Sequence, residues 1–280
     1  MIIDGHAHCA GAFFREDTLV AKLDELGVEK VVLCQNVRGH ARELRLPFDR
    51  GHIATRSSIS FTGNRFLRLG AKLIKARRGR KERNAYVLSL AEKRPERIIP
   101  SYWADPSDPD AVKDLDRAVG GYGFRGIKLH QCVNRFSCAD PVLDDIAALA
   151  AEKSVPVFIH LYSRGEVEKF MAWARRNPRT RFVAAHMIGL EMMAPFAAEF
   201  KNVTLDISPA WGSPARRVEF AAAVFGADRL TFGSDTPYGR DTLKRNIDKV
   251  RNLALEPEQK ALILGLNMAR LLNLSVEGES

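Results

Sequence analysis

No uninterrupted apolar run in these 280 residues reaches the roughly 18 to 20 that a membrane-spanning helix requires. The first residues lack the basic segment and apolar stretch of a secretory leader. They start directly in a strand-like pattern, so a cytoplasmic protein is expected. Cysteine is scarce, and Cys9, Cys34, Cys132 and Cys138 form no C-x-x-C motif. They read as reduced thiols, which excludes a disulfide framework. No glycine-rich phosphate loop follows the first strand, because Gly5-His6-Ala7-His8 is not G-x-G-x-x-G. Acids are nearly missing from one stretch. Between residues 36 and 83 stand fourteen Lys/Arg against three acids, so the net charge of +9 resides there and the remainder is slightly acidic. That stretch also has few aromatics (Phe48, Phe61 and Phe66), too thin a set for stacking on bases, which argues against nucleic acid as a partner.

Outside this basic stretch, short apolar runs alternate with helix-patterned segments. The strand candidates are 1–6, 28–35, 98–102, 124–130, 156–160, 181–186, 203–206 and 230–235. Several, such as Val28 to Gln35, are almost continuously apolar, as strands buried on both faces are. Eight strand–helix units with no second compositional regime predict an α/β fold, a (β/α)8 TIM barrel. The chain reads as one domain over 1–280, with 36–83 inserted after strand two. Helices are expected at 66–76 inside the insertion, at 84–94 after it, and as an extra C-terminal helix from Pro257 to about Leu272.

Strand residues two apart share a face, so His6 and His8 present two imidazoles side by side. Other predicted strand ends carry Lys128 and His130, His160, His186 and Asp235. In a barrel these ends form the C-terminal mouth, where chemistry sits. Five of the seven histidines fall in this set, and each can bind a metal or move a proton. His160 reads as a ligand, Asp235 as a ligand or base, and His186 as a catalytic group. Lys128 and His130 share a face and are candidates to touch substrate or a second metal. Asp4 and Asp206 could orient a ligating imidazole. Trp211 is a candidate for the mouth, whereas Cys9 reads as a packed thiol and His40 and His52 as solvated or lid residues.

The motifs IDGHAH, GIKLH, PVFIH, AAH, GSDTP and the tail GLNMARLL together resemble the amidohydrolase superfamily. More narrowly the chain is similar to the amidohydrolase-related branch, which holds metal-dependent hydrolases and the aminocarboxymuconate-semialdehyde and resorcylate decarboxylases. The resemblance spans nearly the whole chain outside 36–83 and implies a metal-dependent (β/α)8 barrel. It implies metal ligation by His6, His8, His160 and Asp235, with His186 near the reactive water or substrate. Some relatives carry a metal-bridging carboxylated lysine on strand four. Lys128 and His130 stand there, so one ion is favoured and two are left open.

Three imidazoles and a carboxylate leave an open position on a divalent ion, zinc being the first expectation. Asp235 would take a proton from metal-activated water and His186 would stabilise the oxyanion, giving hydrolysis of an amide, lactone or ester. The alternative is a decarboxylase using the same ion. A third reading, from another class, is a protein that binds nucleic acid or an anionic surface through the basic stretch. Loops after barrel strands project from the mouth, so the insertion is expected as a lid or an oligomer contact. Its charge, including Arg42, Arg45, Arg50, Arg56 and Arg65, would favour a small anionic substrate.

Overall fold

The computed structural model describes residues 1–37, 56–74 and 78–275. His40, His52, Arg42, Arg45 and Arg50 lie outside the described residues. The chain begins with β1 (Ile3–His8), α1 (Glu16–Glu25) and β2 (Lys30–Cys34). Two helices follow, α2 (Ser57–Leu73) and α3 (Arg80–Lys93), then β3 (Ile98–Trp103), α4 (Ala111–Gly120) and β4 (Gly126–His130). Next come α5 (Val142–Glu152), β5 (Val157–His160), α6 (Arg164–Arg176), β6 (Phe182–Ala184) and the short α7 (Leu190–Met193). The chain continues with β7 (Val203–Asp206), α8 (Ala215–Phe225), β8 (Leu230–Thr231) and α9 (Thr242–Arg251). It closes with α10 (Pro257–Ala261) and α11 (Asn267–Leu271), joined by a π turn over Leu262–Leu266. No helix among the described residues is long and apolar enough to cross a membrane.

The eight strands pair in parallel in chain order, β1 to β8, and form the expected (β/α)8 barrel. Backbone bonds join the two ends of this order. Gly5 donates to Phe232 O (3.0 Å), Asp235 to His6 O (2.7 Å) and His8 to Thr236 O (2.8 Å). Alternate residues face opposite ways. Leu33, Ile127, Leu129, Val157, Ile159 and Phe182 belong to the outer core, shared with Leu19, Leu115, Ile146, Phe170 and Trp173 of the helices. Ile3, Val32 and Ile99 instead pack with Met268, Ala269 and Leu272, so the C-terminal helix covers the strands' other end.

Several boundaries differ from the sequence reading. β1 runs on through His8, so both histidines are strand residues. β8 pairs only over Leu230–Thr231, short of Asp235, which adopts φ 55°. A Cβ on residue 233 would stand 2.7 Å from His6 Cβ and 2.8 Å from Asp206 Oδ1, so only glycine allows that approach. The helix expected at 66–76 begins nine residues earlier, and α3 starts at Arg80 rather than 84, inside the segment read as an insertion.

α2 spans the mouth of the barrel. Ser57, Asn64 and Ala71, spaced seven apart and therefore on one helix face, are all buried. Ser57 Oγ accepts from Gly189 N–H (2.8 Å) after β6, and Asn64 bonds the end of β5. Ala71 packs with Cys34, Trp103 and Val133 near the ends of β2, β3 and β4. The opposite face leaves Phe66, Leu69 and Leu73 exposed.

Candidate functional site

The predicted site residues converge at the C-terminal ends of the strands. Pairing in register sets His130 beside His160 and Trp103 beside Lys128. Ligand atoms of His6, His8 and Asp235 lie within 4.8 Å of one another. His8 Nε2 is 3.3 Å and His6 Nε2 3.6 Å from Asp235 Oδ1. His186 stands next to them, its ring centroid 5.2 Å from that of His6. His160 sits beyond it, 4.9 Å from His186 and stacked on His130 at 4.1 Å, and it falls in a second group with His130 and Cys132 rather than in the first.

The partners of each ring decide which nitrogen carries a lone pair, since a carbonyl can only accept and a backbone N–H can only donate. His8 Nδ1 donates to Gln35 O (2.9 Å) and His186 Nδ1 to Ser208 O (2.8 Å). His6 Nδ1 donates to Asp206 Oδ2 (3.1 Å) and lies 2.9 Å from Ser208 Oγ, whose own hydrogen goes to Asp206 (2.6 Å). All three rings, when neutral, therefore offer Nε2. His130 is the reverse case. The Cys132 N–H donates to its Nδ1 (3.2 Å), so its hydrogen is on Nε2 and it presents a donor. His160 Nε2 bonds Asn64 Oδ1 (2.9 Å).

Two of these residues adopt left-handed backbone. His186 has φ 58° and Asp235 φ 55°, which non-glycine residues rarely take. Each is held by a bond to another strand: His186 N–H to Asp206 Oδ2 (3.1 Å) and Asp235 N–H to His6 O (2.7 Å). Such strain, held in place by its surroundings, is characteristic of functional sites.

Burial controls the charges. It holds His6, His130 and His160 well below the usual imidazole value, and Lys128 or neighbouring imidazoles push the same way. Burial also opposes ionisation of Asp235, but His186, His6 and His8 more than offset it and lower its pKa. Burial disfavours the charged form of His8 as well, yet Cys34 and Asp235 outweigh it and raise His8 to about 10. Burial raises Asp4 to about 7. It lowers Lys128, whose Nζ lies 4.2 Å from the Phe158 ring centroid and donates to His6 Nε2 (2.8 Å).

The arrangement suits a divalent cation. Ligands on a tetrahedral ion with bonds of about 2.0–2.1 Å stand roughly 3.3–3.4 Å apart, close to the His8–Asp235 separation of 3.3 Å. Trp211, expected at the mouth, donates Nε1–H to Tyr238 O (2.8 Å), and the Tyr238 ring meets His8 edge-on at 5.3 Å. Sequence reasoning missed Ser208, Gln35 and Asn64. Ser208 stands two residues after Asp206, and that spacing was the available signal. Gln35 acts through its backbone oxygen, which no side-chain pattern reveals.

No curated protein matches the chain. Among solved structures, 2,6-dihydroxybenzoate decarboxylase from Rhizobium is 17% identical, covering 97% of this chain and 98% of that one, with a TM-score of 0.71. 5-Carboxyvanillate decarboxylase from Sphingomonas paucimobilis is 14% identical over 98% and 99%, with a TM-score of 0.63. A dihydroxybenzoic acid decarboxylase from Polaromonas sp. JS666, with bound manganese and the inhibitor 2-nitroresorcinol, is 15% identical over 97% and 96%, with a TM-score of 0.67. These likenesses establish the shared fold. The sequence pattern of the family described as amidohydrolase matches residues 3–274, and with so much of its length inside that pattern the chain belongs to the amidohydrolase family of enzymes.

Proposed function

We infer that the chain is a metal-dependent decarboxylase of a small aromatic acid. The observation that carries this reading is the His6–His8–Asp235 group on a barrel whose full length is shared with the hydroxybenzoate and carboxyvanillate decarboxylases. Hydrolysis, the first expectation from the residues, is the second reading. It is favoured by the same group, because a carboxylate held ionised at the mouth could accept a proton from water.

In the proposed site His6, His8, His160 and Asp235 hold one divalent ion. Their nitrogen and oxygen donors suit zinc or manganese, and the manganese in the Polaromonas enzyme supports the latter. When bound, the ion would supply positive charge to a carboxylate and a neighbouring hydroxyl. The chain does the rest. His130 presents its Nε2–H to the anionic end of the substrate, and the Lys128 amine, which bonds His6 Nε2 in this structure, would turn to the substrate when that nitrogen ligates the ion. Asp235, ionised at rest, relays a proton taken up from solvent water to the ring carbon that bears the carboxylate. The bond to the carboxyl carbon then breaks, its electron pair restores the aromatic ring, and CO2 leaves. His186, with Nδ1 tied to Ser208 O, faces the site with Nε2 and steadies the charged groups.

The test is to load the purified protein with Mn2+ or Zn2+ and offer hydroxybenzoates and carboxyvanillate alongside amide and lactone substrates. CO2 release supports decarboxylation. Acid or amine release without CO2 replaces it with the hydrolase reading.

A further inference from the structure

The helix that lies across the mouth reaches into the site with one side chain. Asn64 is 3% exposed, and its carboxamide bonds to β5 and the residues just after it. Nδ2 lies 2.9 Å from both Leu161 O and Tyr162 O. Two carbonyl oxygens can only accept, so they must face the amide's NH2 group. This assigns the carboxamide without reference to hydrogen positions. Its oxygen therefore faces His160 Nε2 at 2.9 Å. An amide oxygen can only accept, so His160 Nε2 must carry the hydrogen, and the lone pair is on Nδ1. His6, His8 and His186 have the opposite assignment, each set by an oxygen on the barrel itself. Among these four rings only His160 is oriented by a residue of α2.

We propose that Asn64 is a positioning residue of the metal centre: its carboxamide, held by the carbonyls of Leu161 and Tyr162, fixes the ring and tautomer of His160 so that Nδ1 is the ligating nitrogen. This rests on the reading of His160 as a ligand. A ligating histidine whose other nitrogen is bonded keeps its tautomer and its angle, and removal of such partners typically weakens metal binding by 10- to 100-fold. The basic segment is then part of the metal centre as well as a cover, because the fourth imidazole is set only when α2 is docked. The second anchor of the helix, Ser57, touches Gly189 and Arg217 and is remote from His160 in the bonding pattern.

Long-range 1H–15N spectra of the full chain with 15N-labelled histidine read the tautomer directly, and His160→Gln identifies the signal. In the unsubstituted protein His160 should be the Nε2–H form; an Nδ1–H form overturns the proposal without any variant. Asn64→Leu should lose the preference and bind Mn2+ at least tenfold more weakly in competition with a chelating dye. Ser57→Ala should leave the tautomer unchanged. An unchanged tautomer in Asn64→Leu overturns the role of Asn64 alone. If His160→Gln leaves Mn2+ affinity intact, His160 is not a ligand, and both the ligand set and the proposal fall.

Discussion

His8 Nε2 and Asp235 Oδ1 face each other at 3.3 Å across the seam between the first and last strands of the barrel. They are 227 positions apart in sequence, and the backbone bonds between His6 O and Asp235 N–H and between Thr236 O and His8 N–H hold them there. The seam thus brings together two donors of the proposed centre, and the predictions below start from it.

Asp235→Asn and His8→Ala should each lower bound divalent metal from about one equivalent to a small fraction and reduce turnover by orders of magnitude. The fold should persist, since His8 is the last residue of β1 and Asp235 lies beyond β8, outside the apolar core. Elemental analysis with circular dichroism checks this. Full activity with no metal in the double variant rejects the centre.

His186→Asn should keep most of the metal but lose at least a hundredfold in kcat, as expected when a positioned acid–base or hydrogen-bonding group is removed. Metal content and single-turnover rates measured on one preparation separate the outcomes. Loss of metal in parallel with activity moves His186 into the ligand set.

Gly233→Ala should destabilise the protein by about 1–3 kcal/mol, the usual range for overpacking a close approach. The new Cβ would press on His6 Cβ and on the Asp206 carboxylate that bonds His6. Metal affinity should fall together with the urea midpoint. A midpoint equal to that of the parent protein contradicts the packing argument.

Lys249 supplies a pH dependence. Its side chain is partly covered, with Nζ donating to Ser213 O (2.7 Å) and Ile207 O (3.3 Å), and burial lowers it from 10.5 to about 7. Between about pH 7 and 10.5 the unfolded chain holds a proton that the folded chain lacks. Stability should therefore rise with pH in that window, by at most about 1.4 kcal/mol per unit, and this group should contribute no slope below it. Lys249→Met should flatten the difference in urea midpoint between pH 7.5 and 9.5. An identical slope in the variant excludes Lys249 as its source.

α2 carries no acidic residue, and Arg56 and Arg65 are exposed. Arg56→Gln and Arg65→Gln should each raise KM for a carboxylate substrate about two- to fivefold at low salt. The effect should fade near physiological ionic strength, where exposed charges are screened beyond about 8–10 Å. An equal effect on a neutral substrate points to a packing role instead.

The barrel was legible in the sequence because parallel strands buried on both faces appear as short apolar runs, and eight alternations with helices leave few other architectures. The candidate site was legible for the same reason. Side chains two apart on a strand share a face, so the pairs His6/His8 and Lys128/His130 could be placed before any coordinates. Strand ends could be placed less well. Local pattern extended β8 to Asp235, whereas the ladder stops at Thr231 and the backbone N–H of Asp235 bonds His6 O of β1 instead. Tertiary structure alone decided which nitrogen each imidazole offers, because that depends on carbonyls and carboxylates from other strands: Gln35 O for His8, Ser208 O for His186, Asp206 for His6. It alone brought Asn64 to His160 across 96 positions. A hydrogen-bond partner is selected by distance and angle in space, and no periodicity along the chain encodes either.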